Sequence, residues 1–274
     1  NAERRGSPPP AIPLSLAPEI HSQNRLKHGS RTRLVDEELA EFIGIYVGDG
    51  SGHFRPNKNS YEFKIVGNPK DEIGYYSFVS LLASTITNRK IRPKILDGGR
   101  SVGVRFCSKK LFEKMRKISE SRTPQTLKQQ IPPKILRRRK LAIALLRGLF
   151  DTDGCFTIKR KYKIQPYYPV VSFSQENANV VKQVAKVIAA LKISASACLN
   201  KKYIDKRTGK THQKSRIDIY GANNTAKWFQ TIGTHNPKIR ERYQAFLAKR
   251  TRGPYVRKTR ERKSLKTRRV FIQQ

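Results

Sequence analysis

The stretches EELAEFIGIYVGDG (37–50) and LAIALLRGLFDTDG (141–154) have the same character. Each is an apolar run with helical spacing that stops at an Asp-Gly pair, and each is followed by an alternating strand pattern. The chain is therefore predicted to consist of two similar halves, each of which begins with one of these helices.

The same order of patterns follows both helices. Alternation of apolar and polar residues at Tyr61, Phe63 and Ile65, and again from Phe156, predicts strands. Helix-spaced apolar runs and further strands then follow, so the order is helix, two strands, helix, two strands, helix, twice over. This order predicts an α+β fold with two pseudo-twofold-related αββαββα half-domains. Their antiparallel sheets would form a saddle around the two central helices, and a polar loop is predicted around 200–214 of the second copy.

Changes in composition predict the boundaries of these parts. Residues 1–33 are rich in Pro, Ser and Arg and are interpreted as an N-terminal arm. The first half-domain is assigned to 34–140 and the second to 141–250. Residues 251–274 form a strongly basic C-terminal tail.

The charge of the chain points to a nucleic-acid partner. The sequence holds 58 Lys and Arg against 20 Asp and Glu, for a formal net charge of +38. Such a positive field attracts phosphate backbones. The sequence has no apolar run long enough to indicate a membrane protein. The three cysteines lie far apart without metal-ligand spacing, which excludes a zinc finger, and nothing about them suggests a disulfide scaffold. An intracellular location is expected, in the cytoplasm or nucleoid, with an organelle as an alternative.

Basic residues on the predicted strands are candidates for contact with duplex DNA. A two-stranded ribbon fits the major groove, so a basic sheet face can read DNA. For any single lysine, a solvated strand face is an equally good interpretation. The candidate DNA-binding residues are Arg55, Lys64, Lys94, Arg105, Lys159, Lys161, Lys163 and Arg216.

Two carboxylates stand where helix electrostatics disfavours them. Asp49 and Asp153 end their helices at the C-terminus, where the macrodipole is already negative. Gly50 and Gly154 are expected to supply a left-handed stop. A single Asp-Gly pair is most simply a cap or turn. Two pairs at matched places in a duplicated chain instead suggest that a positive group compensates them.

Small residues on the two helices predict how the carboxylates meet. Gly44 and Gly48 are four apart, and Gly148 and Thr152 repeat that spacing. Small residues at this spacing let helix backbones approach closely. Close packing would bring the two acids to neighbouring points on the pseudo-twofold axis. Paired carboxylates, carbonyl oxygens and phosphates make an oxygen-rich site suited to Mg²⁺.

FIGIYVGDG (42–50) and LRGLFDTDG (146–154) resemble the two LAGLIDADG motifs of single-chain homing endonucleases, particularly the archaeal intron-encoded members. The resemblance covers about 34–250. The first motif departs from the family at Val47, where the family often has Asp. The resemblance implies that Asp49 and Asp153 are the metal-binding catalytic acids, with the carbonyls of Gly48 and Thr152 as supporting ligands.

The resemblance extends to further polar groups. Gln175, at the end of a strand, resembles a glutamine that positions active-site water, and Lys238 resembles a basic residue near the scissile phosphate. The first half has Gly67 and Asn68 where a glutamine would stand. Lys134 is the candidate in the first half for the role of Lys238. An asymmetric pair of half-sites is therefore expected. Ordinary phosphate contact is an alternative role for both lysines.

Three functions are compatible with these features. The leading interpretation is a monomeric, site-specific endonuclease that makes a double-strand break in DNA with Mg²⁺, or with Mn²⁺ as a substitute, for intron mobility. An RNA maturase acting on intron RNA is the first alternative. A non-catalytic DNA-binding or ribosomal protein is the second, and substitution of both acids would discriminate it from the endonuclease.

Overall fold

The structure, a computed structural model, describes residues 35–161, 165–204 and 208–252. The predicted N-terminal arm, nearly all of the C-terminal tail and Lys163 lie outside these ranges. Among the described residues, no helix has the length and apolar character needed to cross a membrane.

The two halves contain matching series of helices and strands. The first comprises α1 (Glu37–Gly48), β1 (Gly50–Arg55), β2 (Ser60–Gly67), α2 (Ile73–Thr87), β3 (Lys94–Leu96), β4 (Ser101–Cys107) and α3 (Lys109–Ser119). A 3₁₀ turn (Pro124–Lys128) and the short α4 (Pro133–Leu136) join it to the second. The second comprises α5 (Arg139–Asp153), β5 (Gly154–Lys161), β6 (Gln165–Gln175), α6 (Ala178–Ala190), β7 (Ser196–Ile204), β8 (Thr211–Tyr220), α7 (Ala222–Thr231) and α8 (Pro237–Arg252).

The predicted α+β fold with two pseudo-twofold-related halves is confirmed. Each half has a four-stranded sheet, ordered β1-β2-β4-β3 and β5-β6-β8-β7, and every pairing within them is antiparallel. The registers match, because Gly50 pairs with Ile65 and Gly154 pairs with Phe173. This match makes Gly67, two residues after Ile65, the counterpart of Gln175.

Local sequence explains why these elements form. On β2, alternate residues from Tyr61 to Ile65 are buried, as the alternation predicted. Asp36 caps α1 by accepting a hydrogen bond from the Leu39 amide at 2.9 Å. Buried apolar side chains from both halves join in one continuous core beneath the two sheets.

One expectation about the second half is wrong. The predicted polar loop at 200–214 is instead largely the β7–β8 hairpin. Every residue of β7 is exposed, so this edge strand has no apolar alternation to reveal it.

Gly50 and Gly154 do not form left-handed helix stops. Gly154 has φ −98° and ψ 165°, and both glycines open a strand directly after the helix. The glycines are needed for space. A Cβ on Gly50 would lie 2.6 Å from the Tyr46 backbone, and one on Gly154 would lie 2.1 Å from the Phe150 ring.

Candidate active site

The helices α1 and α5 pack with their backbones in contact. A Cβ on Gly44 would lie 2.2 Å from the Leu145 carbonyl oxygen, and a Cβ on Gly148 would lie 2.2 Å from the Glu41 carbonyl oxygen. The two contacts are reciprocal, as expected for helices related by a pseudo-twofold axis. Close packing through small residues is therefore confirmed, and it brings the ends of the two helices together.

This packing places Asp49 and Asp153 side by side. Asp49 caps the end of α1, and Asp153 is the last residue of α5. A Cβ on Gly48 would lie 3.0 Å from Asp153 Oδ2 and 2.0 Å from Thr152 Oγ1. Asp153 thus lies against the last turn of α1, close enough for its charge to act on Asp49. Carbonyl groups in a last helical turn lack intrahelical partners, so those of Gly48 and Thr152 are suited to bind a cation.

Burial raises the pKa of both acids. The pKa of Asp49 is raised to about 7, first by burial and then by the charges of Asp153 and Glu72. The pKa of Asp153 is raised to about 6 by burial, opposed by a hydrogen bond from Gln175 and by nearby lysines. Two buried carboxylates that repel each other are stabilised by a cation. The donor set of carboxylate, amide and carbonyl oxygens fits a hard divalent ion such as Mg²⁺.

The two acids have different neighbours. Gln175 Nε2 donates a hydrogen bond to Asp153 Oδ2. At the matching position, Gly67 leaves space that is filled by Tyr76 and Glu72. A Cβ there would lie 2.7 Å from Tyr76 Oη and 2.2 Å from Glu72 Oε2.

In the first half, Tyr76 therefore takes the place that Gln175 has in the second. Its hydroxyl donates to Asp49 Oδ2 at 3.5 Å. Burial and the charge of Asp49 raise the pKa of Tyr76 well above its usual value, so the hydroxyl keeps its proton. Glu72 accepts a hydrogen bond from the Asn68 amide at 2.7 Å.

Lys128 is a basic residue whose charge acts on both acids, and sequence reasoning missed it. It ends the 3₁₀ turn before α4. Burial lowers the pKa of Lys128, and the charges of Asp153 and Asp49 partly oppose that lowering. Its Nζ lies 5.8 Å from the Tyr46 ring centroid. Lys214 of β8 adds a second positive charge that acts on Asp153. Both lysines are distant from the acids in sequence, and no local pattern marks them.

The two lysines suggested by the family resemblance have other partners. Lys134 Nζ lies 2.8 Å from Glu120 Oε1, and Lys238 Nζ lies 2.8 Å from Asp71 Oδ2. Neither lysine is among the charges that act on Asp49 or Asp153, in contrast to Lys128.

A second buried polar cluster links the halves. Asp151 accepts hydrogen bonds from the His235 amide at 2.8 Å and from the Thr234 hydroxyl, and Glu41 Oε1 lies 2.6 Å from His235 Nδ1. The three groups have the spacing of a metal-binding cluster. Hydrogen bonds already engage both carboxylate oxygens of Asp151 and Oε1 of Glu41. We therefore interpret the cluster as the anchor of the segment before α8.

The basic sheet residues lie on the outer faces, defined as the sheet faces turned away from the core. In the first sheet Lys64 is directly opposite Arg105. Each of the two forms an ion pair with a different carboxylate. Lys64 pairs with Asp97 at 2.8 Å, and Arg105 pairs with Glu62 at 2.9 Å. Arg55 and Lys94 are exposed at the edges of this face.

The outer face of the second sheet is built differently. Lys159 is exposed on β5, and Arg216 of β8 pairs with Asp218 at 2.8 Å. Lys161 ends β5. The two sheets thus present unlike sets of hydrogen-bonding groups at matching places.

Comparison with known proteins identifies relatives of this architecture. Residues 140–233 match the LAGLIDADG-like domain family. No curated protein matches the sequence significantly. The crystal structure of I-DmoI in complex with DNA and Ca aligns with a TM-score of 0.52 and 16% identity, over 76% of this chain and 97% of that chain.

Two further structures of the homing endonuclease I-DmoI align similarly. One, of mesophilic variants, gives a TM-score of 0.50 and 17% identity over 73% of this chain and 97% of that chain. The other, a variant in complex with its target DNA in the presence of Mn, gives a TM-score of 0.50 and 17% identity over 73% of this chain and 96% of that chain. At these identities the likeness establishes a shared fold.

Proposed function

We propose that this chain, whose fold is that of the LAGLIDADG homing endonucleases, makes a double-strand break in a long, asymmetric DNA target by divalent-metal-assisted hydrolysis. The observation that carries the proposal is the placement of Asp49 and Asp153 at the ends of two helices in backbone contact. Both acids come from one chain, so a monomer can attack both strands.

Each half would contribute one acid to one strand. Asp49 and Asp153, with the carbonyls of Gly48 and Thr152, would hold the divalent ions. A bound Mg²⁺ activates water and stabilises the leaving oxygen in phosphodiester hydrolysis. Lys128, whose charge acts on both acids, would offset negative charge where they meet the scissile phosphates. Lys134 and Lys238 would exchange their carboxylate partners for phosphates of bound DNA.

The remaining features fit the same activity. The outer faces carry Arg55, Lys64, Lys94, Arg105, Lys159 and Arg216 and would lie along the major groove. The similar I-DmoI structures are complexes with DNA, one with Ca and one in the presence of Mn, which supports a divalent ion and duplex DNA as partners. Mg²⁺ is the proposed natural ion, with Mn²⁺ as a substitute. Intron mobility, inside the cell, is the proposed biological role.

The decisive experiment is cleavage of a randomised duplex library with Mg²⁺ by the wild type and by Asp49→Asn/Asp153→Asn. We expect one long target that only the wild type cuts. The loss should be at least about 100-fold, because even outer-shell partners of metal sites are worth 10–100-fold. Circular dichroism would verify that the variant folds.

Other outcomes would point elsewhere. Equal cutting by the wild type and the variant would remove both acids from the chemistry. Tight binding without cutting in Mg²⁺ and Mn²⁺ would favour a maturase or a non-catalytic DNA-binding protein, and structured intron RNA would then be the next substrate to test.

A further inference from the structure

An acidic residue lies in the middle of the outer face of the second sheet, where the proposed DNA would bind. Asp218 of β8 is directly opposite Ser172 of β6 and two residues from Arg216. The chain has only 20 acidic residues against 58 basic ones, so an acid on this face works against phosphate attraction. A role for Asp218 other than charge is therefore needed.

Asp218 fixes the position of the Arg216 side chain. Nε and Nη2 of Arg216 both lie 2.8 Å from Asp218 Oδ1, and Nη2 also donates to Ser172 Oγ at 2.8 Å. Ser172 Oγ in turn donates to Asp218 Oδ1 at 2.6 Å, and the Tyr220 hydroxyl donates to Oδ2 at 3.2 Å. Asp218 and Ser172 thus hold the guanidinium of Arg216 directly, and Tyr220 supports Asp218.

The held guanidinium keeps one end available. Among the described residues, Nη1 of Arg216 has no hydrogen-bond partner, and the side chain is 43% exposed while that of Asp218 is 16% exposed. Nη1 carries two N–H donors. Since an arginine held in place loses little rotamer freedom on binding, it is suited to a directional contact.

Pairing with Asp218 makes this arginine a poor phosphate ligand. The adjacent carboxylate cancels the charge of Arg216 and repels an anionic phosphate much more strongly than it repels the uncharged edge of a base. In the major groove only guanine offers two neighbouring acceptors, N7 and O6, and adenine, cytosine and thymine do not. Two donors on one nitrogen can bridge them, as a lysine ammonium does.

We infer that Arg216, held by Asp218, Ser172 and Tyr220, reads one guanine of the DNA target through the major groove. The inference rests on the proposed DNA-cleaving function and adds a specificity determinant to it. Ser172 pairs with Cys155, two residues after Asp153, so the guanine should lie close to the cut made by the second half. In the first sheet the positions that match Ser172, Asp218 and Arg216 hold Lys64, Arg105 and Gly103, so the other half-site is read by different chemistry.

The test is selection of bound duplexes from a randomised pool in metal-free buffer, followed by affinity measurements for each base at each position. Arg216→Ala should remove the preference for guanine at one position, with a loss of about 5- to 150-fold against the wild-type site. Affinity for unrelated sequences and the salt dependence should hardly change. Lys159→Ala is the contrasting variant, since Lys159 is exposed on the same sheet and makes no ion pair with a described residue. As an unpaired cation it should contact phosphate, so its loss should weaken binding to all sequences alike.

Removal of Asp218, the acid that holds Arg216, should change the affinity for DNA in the opposite direction. Asp218→Ala should raise affinity for all sequences, because a cation is released, yet lower discrimination at the same guanine. If Arg216 is a phosphate contact, Arg216→Ala will instead weaken all sequences alike and reduce the salt slope by about one, and the inference is wrong.

The result also separates this inference from the proposed function. A discrete wild-type target without a guanine that depends on Arg216 overturns the inference alone. Absence of any sequence preference in the wild type overturns both.

Discussion

At the scale of single residues, Lys128 has the most consequential position among groups that are not acids. It is the cation that acts on both Asp49 and Asp153. We expect Lys128→Met to slow single-turnover cleavage by about 100-fold, the usual cost of removing one electrostatic stabiliser. Without this cation the pKa of both carboxyls rises further, so the pH at which cleavage reaches half its maximum should move upward.

The matched control for Lys128 is Lys109, whose Nζ also lies 5.8 Å from a tyrosine ring centroid, that of Tyr61. Lys109→Met should leave cleavage within a few-fold of the wild type. Equal losses of binding and cleavage in Lys128→Met, with no movement of the pH profile, would mean that Lys128 only contacts DNA.

The buried acids also predict how stability depends on pH. Their pKa values in the folded protein, about 7 for Asp49 and about 6 for Asp153, exceed the ordinary value of 3.8. A raised folded-state pKa stabilises the protein at low pH, and that contribution is lost as the pH rises through the folded values. Without divalent metal, the wild type should therefore lose stability between pH 5 and pH 8.

Asp49→Asn/Asp153→Asn lacks this loss, so its Tm should exceed that of the wild type at pH 8 in EDTA. The difference should shrink at pH 5, and each kcal/mol corresponds to roughly 2–4 °C. Asp151, whose pKa burial also raises to about 7, is present in both proteins and cancels. A wild type as stable as the variant at pH 8 would show that the acids are not destabilised by burial.

The sequence reveals the acids but not their neighbours. Asp49 and Asp153 are marked by a repeated local pattern, a helix that ends at Asp-Gly. Lys128 and Tyr76 reach the site through tertiary packing, and nothing in their local sequence distinguishes them from other lysines and helix tyrosines. The lack of a side chain at Gly67 could be predicted from the duplication, whereas the two side chains that fill the space, Tyr76 and Glu72, could not.

At the scale of elements, the contact between α1 and α5 is the part of the fold that tolerates least change. Added methyl groups at this contact would overlap backbone atoms, which cannot move aside as a side chain can. Gly44→Ala and Gly148→Ala should each reduce the free energy of unfolding by at least about 1–3 kcal/mol. Denaturant unfolding would measure the loss.

Gly74 is the control for this contact. It also lies in a helix, α2, but a Cβ there would meet only Pro237 Cγ at 3.4 Å, an ordinary contact. Gly74→Ala should stabilise the protein by up to about 1 kcal/mol through helix propensity. A Gly44→Ala protein that unfolds no more easily than Gly74→Ala would disprove the close approach of the helices.

Elements differed in how well the sequence predicted them. Strands that cover the core, such as β2, alternate and were predicted, because half of their residues are buried. The edge strand β7 has no buried residue, and the hairpin it forms with β8 was mistaken for a loop. Burial creates the periodic signal, so elements without burial leave none.

At the scale of the whole molecule, duplication has produced two halves with the same fold and unlike sites. Asp153 has Gln175 as its hydrogen-bond donor, and Asp49 has Tyr76. If each half cuts one strand, these donors should affect one strand each. Gln175→Ala should therefore slow the cut made by the second half by about 10–100-fold, the usual effect of an outer-shell partner, and leave the other cut nearly unchanged.

A supercoiled plasmid with a single target measures this directly, because a block on one strand accumulates nicked circles. Sequencing the nick identifies the strand. Tyr76→Phe keeps the ring that fills the space over Gly67 and removes only the hydroxyl, so it should slow the opposite strand and leave a nick in the complementary position. If both variants slow both strands equally, the two acids act on one shared centre, and the assignment of one acid to one strand is wrong.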